Sequence, residues 1–106
     1  MSTTPDPPFQ VSYPSGALRR LAELGAAAER ADLHPEFMVA IRDLQRRLET
    51  DPREWGDPFR TLKGMNCILY RRFGRFFVVY YAVHETERAV FVQDISLSPF
   101  SPLEHG

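Results

Sequence analysis

The stretch from residue 67 to residue 97 constrains the fold more than any other part of this sequence. It is rich in β-branched and aromatic residues, a composition typical of strands. Short turns at Gly74 and at residues 84–88 interrupt it. The pattern predicts three consecutive strands in an antiparallel meander, at about 67–73, 75–84 and 89–97.

The middle strand is apolar at both parities. One set of alternate positions holds Phe77, Val79, Tyr81 and Val83, and the other holds Phe76, Val78, Tyr80 and Ala82. A strand of this kind is usually central in its sheet and covered on both sides. Helices encoded upstream cover one side only, so we expect a partner chain or the C-terminal segment to cover part of the other.

One short strand and two helices precede the meander. Residues 9–13 alternate between apolar and polar, and Pro14 ends this strand before a helix that begins near Ser15. Pro35 suits the first turn of a second helix, because its missing N–H would have no partner there. This helix carries an apolar stripe of Phe37, Ile41, Leu44 and Leu48. Residues 51–58, with two Asp-Pro steps and a glycine, then turn the chain.

The predicted fold class is therefore α+β, in the order β-α-α-β-β-β. An antiparallel sheet carries a two-helix hairpin packed on one face. The length of 106 residues suits one domain, which we place at residues 9–98. We expect a disordered lead-in at residues 1–8, which are rich in proline, and an irregular tail at residues 99–106.

Cys67 is the only cysteine, so an internal disulfide is excluded and a reducing compartment is the simplest expectation. The N-terminal residues have neither the basic region nor the apolar core of a signal peptide. No apolar stretch approaches the length of a membrane span. We therefore expect a cytoplasmic protein.

Positive charge is concentrated in one segment, although the formal net charge of the chain is -1. Between Phe59 and His84 there is no Asp or Glu, while five basic residues occur: Arg60, Lys63, Arg71, Arg72 and Arg75. They are either charges that protect an aggregation-prone strand or a patch that binds RNA or an acidic partner. Composition alone leaves both interpretations open.

Motifs for metal or cofactor chemistry are missing from the sequence. His34, His84 and His105 are scattered and have no partner at metal-ligand spacing, so we predict no metal site. We find no glycine-rich phosphate loop and no nucleophile elbow, and we expect no cofactor. His84 is interpreted as a turn residue and Cys67 as a small packing residue.

Two segments resemble the RelE/ParE superfamily, the toxins of type II toxin–antitoxin systems. The first is DPREWGDPFRTLKGM at residues 51–65, and the second is YRRFGRFFVVYYAVHETERAVFV at residues 70–92. The likeness covers about residues 9–98. The resemblance implies a growth-inhibiting toxin of the plasmid stabilisation protein type. It also implies a cognate antitoxin that neutralises this toxin. The implied target is mRNA on the ribosome, cleaved by an endoribonuclease (mRNA interferase) activity, or DNA gyrase; whether this chain is an enzyme is left open.

The resemblance also implies site residues. Arg72 matches the basic residue before the glycine turn, and Arg75 could replace the family's strand arginine, whose position is taken by Phe77. With a tyrosine proton donor, at residue 80 or 81, the candidate catalytic set is Arg72, Arg75 and Tyr81. Arg60, Lys63 and Arg71 are the candidate RNA- or partner-binding residues.

Three observations favour a second hypothesis. Phe77 supplies no cation, Leu97-Ser98 stands where a basic pair is common in the family, and the overall charge is close to neutral. The family's C-terminal tyrosine also has no counterpart in this sequence. The second hypothesis is a catalytically silent protein-binding module with this fold. A third is direct binding of nucleic acid through residues 60–75.

Overall fold

The computed structural model describes residues 7–103. Its helices are α1 (Ser15–Arg30), α2 (His34–Thr50) and the short α3 (Pro52–Trp55), with a 3-10 turn at Lys63–Met65. Its strands are β1 (Gln10–Ser12), β2 (Asp57–Leu62), β3 (Cys67–Phe73), β4 (Phe77–His84) and β5 (Ala89–Leu97). The predicted disorder at residues 1–6 and the end of the predicted tail, residues 104–106, lie outside the described residues.

The five strands form one sheet in the order β1-β5-β4-β3-β2. Strands β2 to β5 pair antiparallel with their neighbours, and β1 pairs parallel with β5. The predicted α+β class, the helix hairpin and the meander are confirmed, with β4 as the central strand. Among the described residues, none of the helices combines the length and apolar character needed to cross a membrane.

Two details of the predicted sheet need correction. Residues 57–62 form an additional edge strand where we predicted a turn and then no regular structure. This strand shows no alternation of apolar and polar residues, and Pro58 is tolerated because an edge strand leaves one side unpaired. The sheet is also mixed, because β1 pairs parallel with β5, the last strand, which the chain reaches only after the helices and strands β2 to β4.

The helix hairpin packs on one face of the sheet. A left-handed residue, Asp32 at φ 60°, lets the chain reverse between α1 and α2. From α2, Phe37 lies edge-on to Phe76 and Phe77, with ring centroids 5.7 and 6.1 Å apart. The main core lies between helices and sheet, and it includes Leu44, Leu48, Val79, Tyr81, Val83, Val90 and Ile95.

The C-terminal segment from Ser98 to Leu103 folds back onto the domain. The Ser98 backbone N–H donates to the Phe76 carbonyl oxygen at 3.1 Å, and Leu103 is 2% exposed within the core. Phe100 lies edge-on to Phe73, with centroids 6.5 Å apart. Through Phe100 the segment therefore reaches the sheet face that the helices leave uncovered.

Candidate functional site

Strand alternation divides the basic residues between two faces of the sheet. We call the face away from the helices the open face. It carries Val78, Tyr80 and Ala82 of β4, since Phe77, Val79 and Tyr81 point into the helix-side core. Residues paired with these positions share their face, so Arg71 (opposite Tyr80) lies on the open face and Arg72 (opposite Val79) does not.

The guanidinium group of Arg71 lies between two aromatic rings on the open face. Its Cζ atom is 5.3 Å from the centroid of Phe59 and 5.0 Å from that of Phe73. Both rings are substantially exposed, at 46% and 44%. A guanidinium in this position is held by cation–π attraction while its edge remains available to hydrogen-bond acceptors.

A β-bulge at Phe59 completes this cluster. The register between β2 and β3 shifts between Pro58 and Arg60, so two residues of β2 occupy the space of one. Arg60 stands opposite Leu69 on the open face, and Phe59 lies edge-on to Tyr80 with centroids 6.0 Å apart. The bulge thus places an aromatic ring and a second cation beside Arg71.

Four polar residues form a row across the open face at this point. Asp57 pairs with Arg71, Arg71 with Tyr80, and Tyr80 with Asp94, each on the neighbouring strand. Direct partners in an antiparallel pair stand about 4.5–5.5 Å apart at their Cβ atoms. A cation, a phenol and two carboxylates are therefore neighbours on one face of the sheet, and the cation can bind a phosphate while the phenol and a carboxylate move protons.

Arg72 and Arg75 come together on the other side of β3, in a cleft of about 200 Å³ beside α2. Arg72 donates a hydrogen bond from Nη1 to the Trp55 carbonyl oxygen at 3.1 Å and lies 5.4 Å from the indole centroid. Arg75, in the β3–β4 turn, lies 5.0 Å from the centroid of Phe76. Asp43 of α2 also lines this cleft, so a carboxylate faces the two predicted catalytic arginines.

Tyr81 has no exposed surface. Its hydroxyl donates to the Pro52 carbonyl oxygen at 2.6 Å, and its ring stacks on Tyr70 at 5.4 Å. Burial raises the pKa of Tyr81 well above its ordinary value, and a backbone hydrogen bond from Gly56 acts in the opposite direction. In this conformation the hydroxyl has no path to a bound substrate, whereas Tyr80 is half-buried on the open face.

The other residues considered in the sequence analysis lie in surroundings that favour structural roles. Phe77 is 5% exposed and packs on Phe37, so its place in the core needs an apolar ring. Ser98 is fully buried, and its Oγ atom accepts a hydrogen bond from the Phe100 N–H at 3.1 Å. His84 accepts hydrogen bonds at Nδ1 from the backbone N–H groups of Thr86 and Glu87, which fits a turn residue. Lys63 lies exposed in the 3-10 turn after β2.

Sequence reasoning missed Phe59, Phe73 and Asp94 as site residues. Pairing between strands brings Phe59 to Arg71 and Asp94 to Tyr80, and no local motif marks them. Phe73 lies two residues from Arg71 on β3, so the period-two alternation of a strand could have identified it. Within residues 7–103, no three His, Cys, Asp or Glu side chains come together as a set of metal ligands.

The architecture defines a RelE-like α+β fold. A chain in the crystal structure of the toxin–antitoxin complex RelBE2 from Mycobacterium tuberculosis is similar, with a TM-score of 0.58 and 17% sequence identity. The match covers 87% of this chain and 97% of that one. No family model and no curated protein matches the sequence. The predicted resemblance is thus confirmed for the fold.

Proposed function

We propose that this chain is the toxin of a type II toxin–antitoxin pair, and that it inhibits translation by binding single-stranded mRNA on its open face. A cognate antitoxin protein is its partner and keeps it inactive. The proposal builds on the RelE-like fold and on the composition of the open face.

The arrangement Phe59–Arg71–Phe73 is the observation that carries this proposal. Proteins that bind single-stranded nucleic acid combine cations for the backbone with aromatic rings on which bases stack. Here a guanidinium is fixed between two exposed rings, and Arg60 adds a second positive charge nearby. Phosphate oxygens would bind the free edge of Arg71, while bases stack on Phe59 or Phe73.

Cleavage of the bound RNA requires more than binding. The ribose 2′-oxygen must lose its proton as it attacks the adjacent phosphorus, and the leaving 5′-oxygen must gain one. On the open face Asp94 is the candidate base, Tyr80 the candidate proton donor, and Arg71 the cation for the phosphorane charge. The products would be a 2′,3′-cyclic phosphate and a 5′-hydroxyl end.

The test is induction of the chain in bacteria with and without substitutions on the open face. We expect growth arrest by the wild type, and weakened arrest for Arg71→Ala and for Phe59→Ala. Arg19→Ala, an exposed arginine of α1, is the matched control and should remain toxic. Primer extension on cellular mRNA should show cuts at codon spacing that Tyr80→Phe and Asp94→Asn reduce.

DNA gyrase is the alternative target. Growth arrest without mRNA cuts, together with loss of DNA supercoiling, would replace the RNA target by gyrase. Direct binding of RNA can be measured with a fluorescent oligonucleotide, and its affinity should fall steeply with added salt. Salt-independent or absent binding would contradict the role that we give to Arg60 and Arg71.

A catalytically silent protein-binding module is the second candidate function. It is favoured by the exposed rings of Phe59, Phe73 and Phe100, at 46%, 44% and 72%, since such apolar surface also marks protein interfaces. A wild-type chain that is folded, does not arrest growth and does not bind RNA would support this candidate and exclude the toxin.

A further inference from the structure

The open face carries opposite charges on the two sides of its central strand. Tyr80 of β4 pairs with Arg71 on β3 and with Asp94 on β5, so a cation and a carboxylate each stand one strand away from it. Neighbouring strands lie about 4.8 Å apart, which places Arg71 and Asp94 about 10 Å from each other. Within residues 7–103, neither side chain has an ion-pair partner. Both charges are therefore available to a second molecule.

Mostly apolar rows lie on both sides of this charged row. Each takes one residue from β3, β4 and β5: Leu69, Ala82 and Phe91 on one side, and Phe73, Val78 and Ser96 on the other. Phe91 is 38% exposed and Phe73 is 44% exposed. Exposed apolar surface of this kind is typical of a protein interface, because its burial stabilises an assembly.

A second copy of the chain is the partner that this arrangement fits. A twofold axis parallel to β4 and above Tyr80 places Arg71 of each copy over Asp94 of the other. The same rotation places the large side chain of Phe73 over the small one of Ser96. Sheets that pack face to face lie about 10 Å apart, a gap that an arginine and an aspartate side chain can bridge together.

We propose that two copies of this chain associate through their open faces as a twofold-symmetric dimer. Two Arg71–Asp94 ion pairs and the apolar residues of the flanking rows hold the copies together. This association goes beyond the proposed function and stands without it. Where that function holds, the dimer buries the cluster of Phe59, Arg71 and Phe73, so dimer formation and RNA binding exclude each other.

The presence of both signs of charge favours a second copy over a peptide of one charge. An acidic peptide would be attracted by Arg71 and repelled by Asp94, and a basic peptide would meet the reverse. A second copy pairs both charges at once. The contact is centred on only three strands, so it belongs to the small interfaces that give weak, concentration-dependent association.

Analytical ultracentrifugation of the purified chain, from micromolar to millimolar concentration, measures this association. The wild type should show a monomer–dimer equilibrium. Arg71→Asp and Asp94→Arg should each weaken the dimer about tenfold or more, because like charges then meet twice across the axis. Arg19→Glu on α1 is the control and should dimerise like the wild type. A wild type that stays monomeric, or a dimer that neither variant weakens, would overturn the proposal.

Mixing the two variants gives the second arm of the experiment, after circular dichroism has established that each is folded. An equimolar mixture of Arg71→Asp and Asp94→Arg should form a one-to-one dimer, because the two negative charges of one copy then face two positive charges of the other. A mixture that stays monomeric would overturn the twofold arrangement.

Single-stranded RNA added to the wild type separates this proposal from the proposed function. RNA that dissociates the dimer supports both. A dimer that forms in a chain without RNA binding supports the dimer and contradicts the RNA-binding function, whereas RNA binding by a chain that stays monomeric does the reverse.

Discussion

The Tyr81 hydroxyl donates a 2.6 Å hydrogen bond to the Pro52 carbonyl oxygen and thereby joins the central strand to the short helix α3. Trp55 of the same helix lies 6.0 Å from the Tyr81 ring and supports Arg72 through its carbonyl oxygen. One buried tyrosine therefore positions α3, and α3 positions an arginine of the helix-side cleft. The resemblance to the family suggested catalysis for Tyr81, whereas its surroundings indicate a structural contact.

Tyr81→Phe should lower the free energy of unfolding by about 1–3 kcal/mol, because the Pro52 carbonyl would stay buried without its donor. Urea denaturation of the purified protein measures this change. Tyr80→Phe is the matched control on the same strand, and we expect it to change stability by less than about 0.5 kcal/mol. Equal stability of Tyr81→Phe and the wild type would show that the buried bond contributes nothing.

Gly56→Ala should be strongly destabilising. A Cβ atom at Gly56 would lie 2.4 Å from the Tyr81 hydroxyl oxygen, so the ring or α3 must move, at a cost of about 1–3 kcal/mol. Gly64→Ala is the control, since a Cβ atom there meets nothing within 4 Å. In a double-mutant cycle, Tyr81→Phe should reduce the cost of Gly56→Ala, and purely additive effects would argue against the clash.

Alkaline pH should destabilise the fold partly through Tyr13. Burial, followed by the nearby Glu49 carboxylate, raises the pKa of Tyr13 from 10.0 to about 12. The unfolded chain therefore releases the Tyr13 proton at a lower pH than the folded protein does. The contribution of Tyr13 to the free energy of unfolding is fully present below about pH 10 and is lost as the pH rises towards about 12. Unfolding free energies measured across this window should fall less steeply for Tyr13→Phe. The same slope in both proteins would refute the shifted pKa.

Removal of the Leu103 side chain tests whether the C-terminal segment is part of the domain. Leu103→Ala should cost about 2–4 kcal/mol, because the side chain is 2% exposed and lies in the core. Phe100→Ala removes a larger side chain from the same segment, but that residue is 72% exposed, so thermal unfolding should change little. A larger effect at Phe100 than at Leu103 would reverse this interpretation.

The two sets of arginines can be separated by their effects on RNA. We expect Arg71→Ala to lower the affinity for single-stranded RNA about tenfold or more, because it removes a cation held on the open face. Arg72→Ala and Arg75→Ala should leave that affinity within about twofold, since both residues line the helix-side cleft. A larger loss of RNA affinity in Arg72→Ala or Arg75→Ala than in Arg71→Ala would instead support the site at Arg72 and Arg75 that the family resemblance implies.

Strand β2 shows why part of the fold escaped prediction. It pairs with the next strand, β3, across a short turn, but Pro58, a bulge at Phe59 and exposed side chains hide the period-two pattern that identifies strands. The helices and β4 were predictable because their apolar periodicity is strong. The catalytic and binding residues were harder to predict. Alternation along β3 places Arg71 and Arg72 on opposite faces of the sheet, and only the strand register identifies their neighbours on the adjacent strands.

The sequence by itself determined the order of the elements, the central position of β4 and the concentration of positive charge, since each follows from local composition and periodicity. Tertiary structure alone decided that Phe59 lies beside Arg71, and that Arg72 shares a cleft with Asp43. The physical reason is that strand pairing and helix packing bring together residues far apart in the chain. The local sequence pattern does not determine which of these distant residues come into contact.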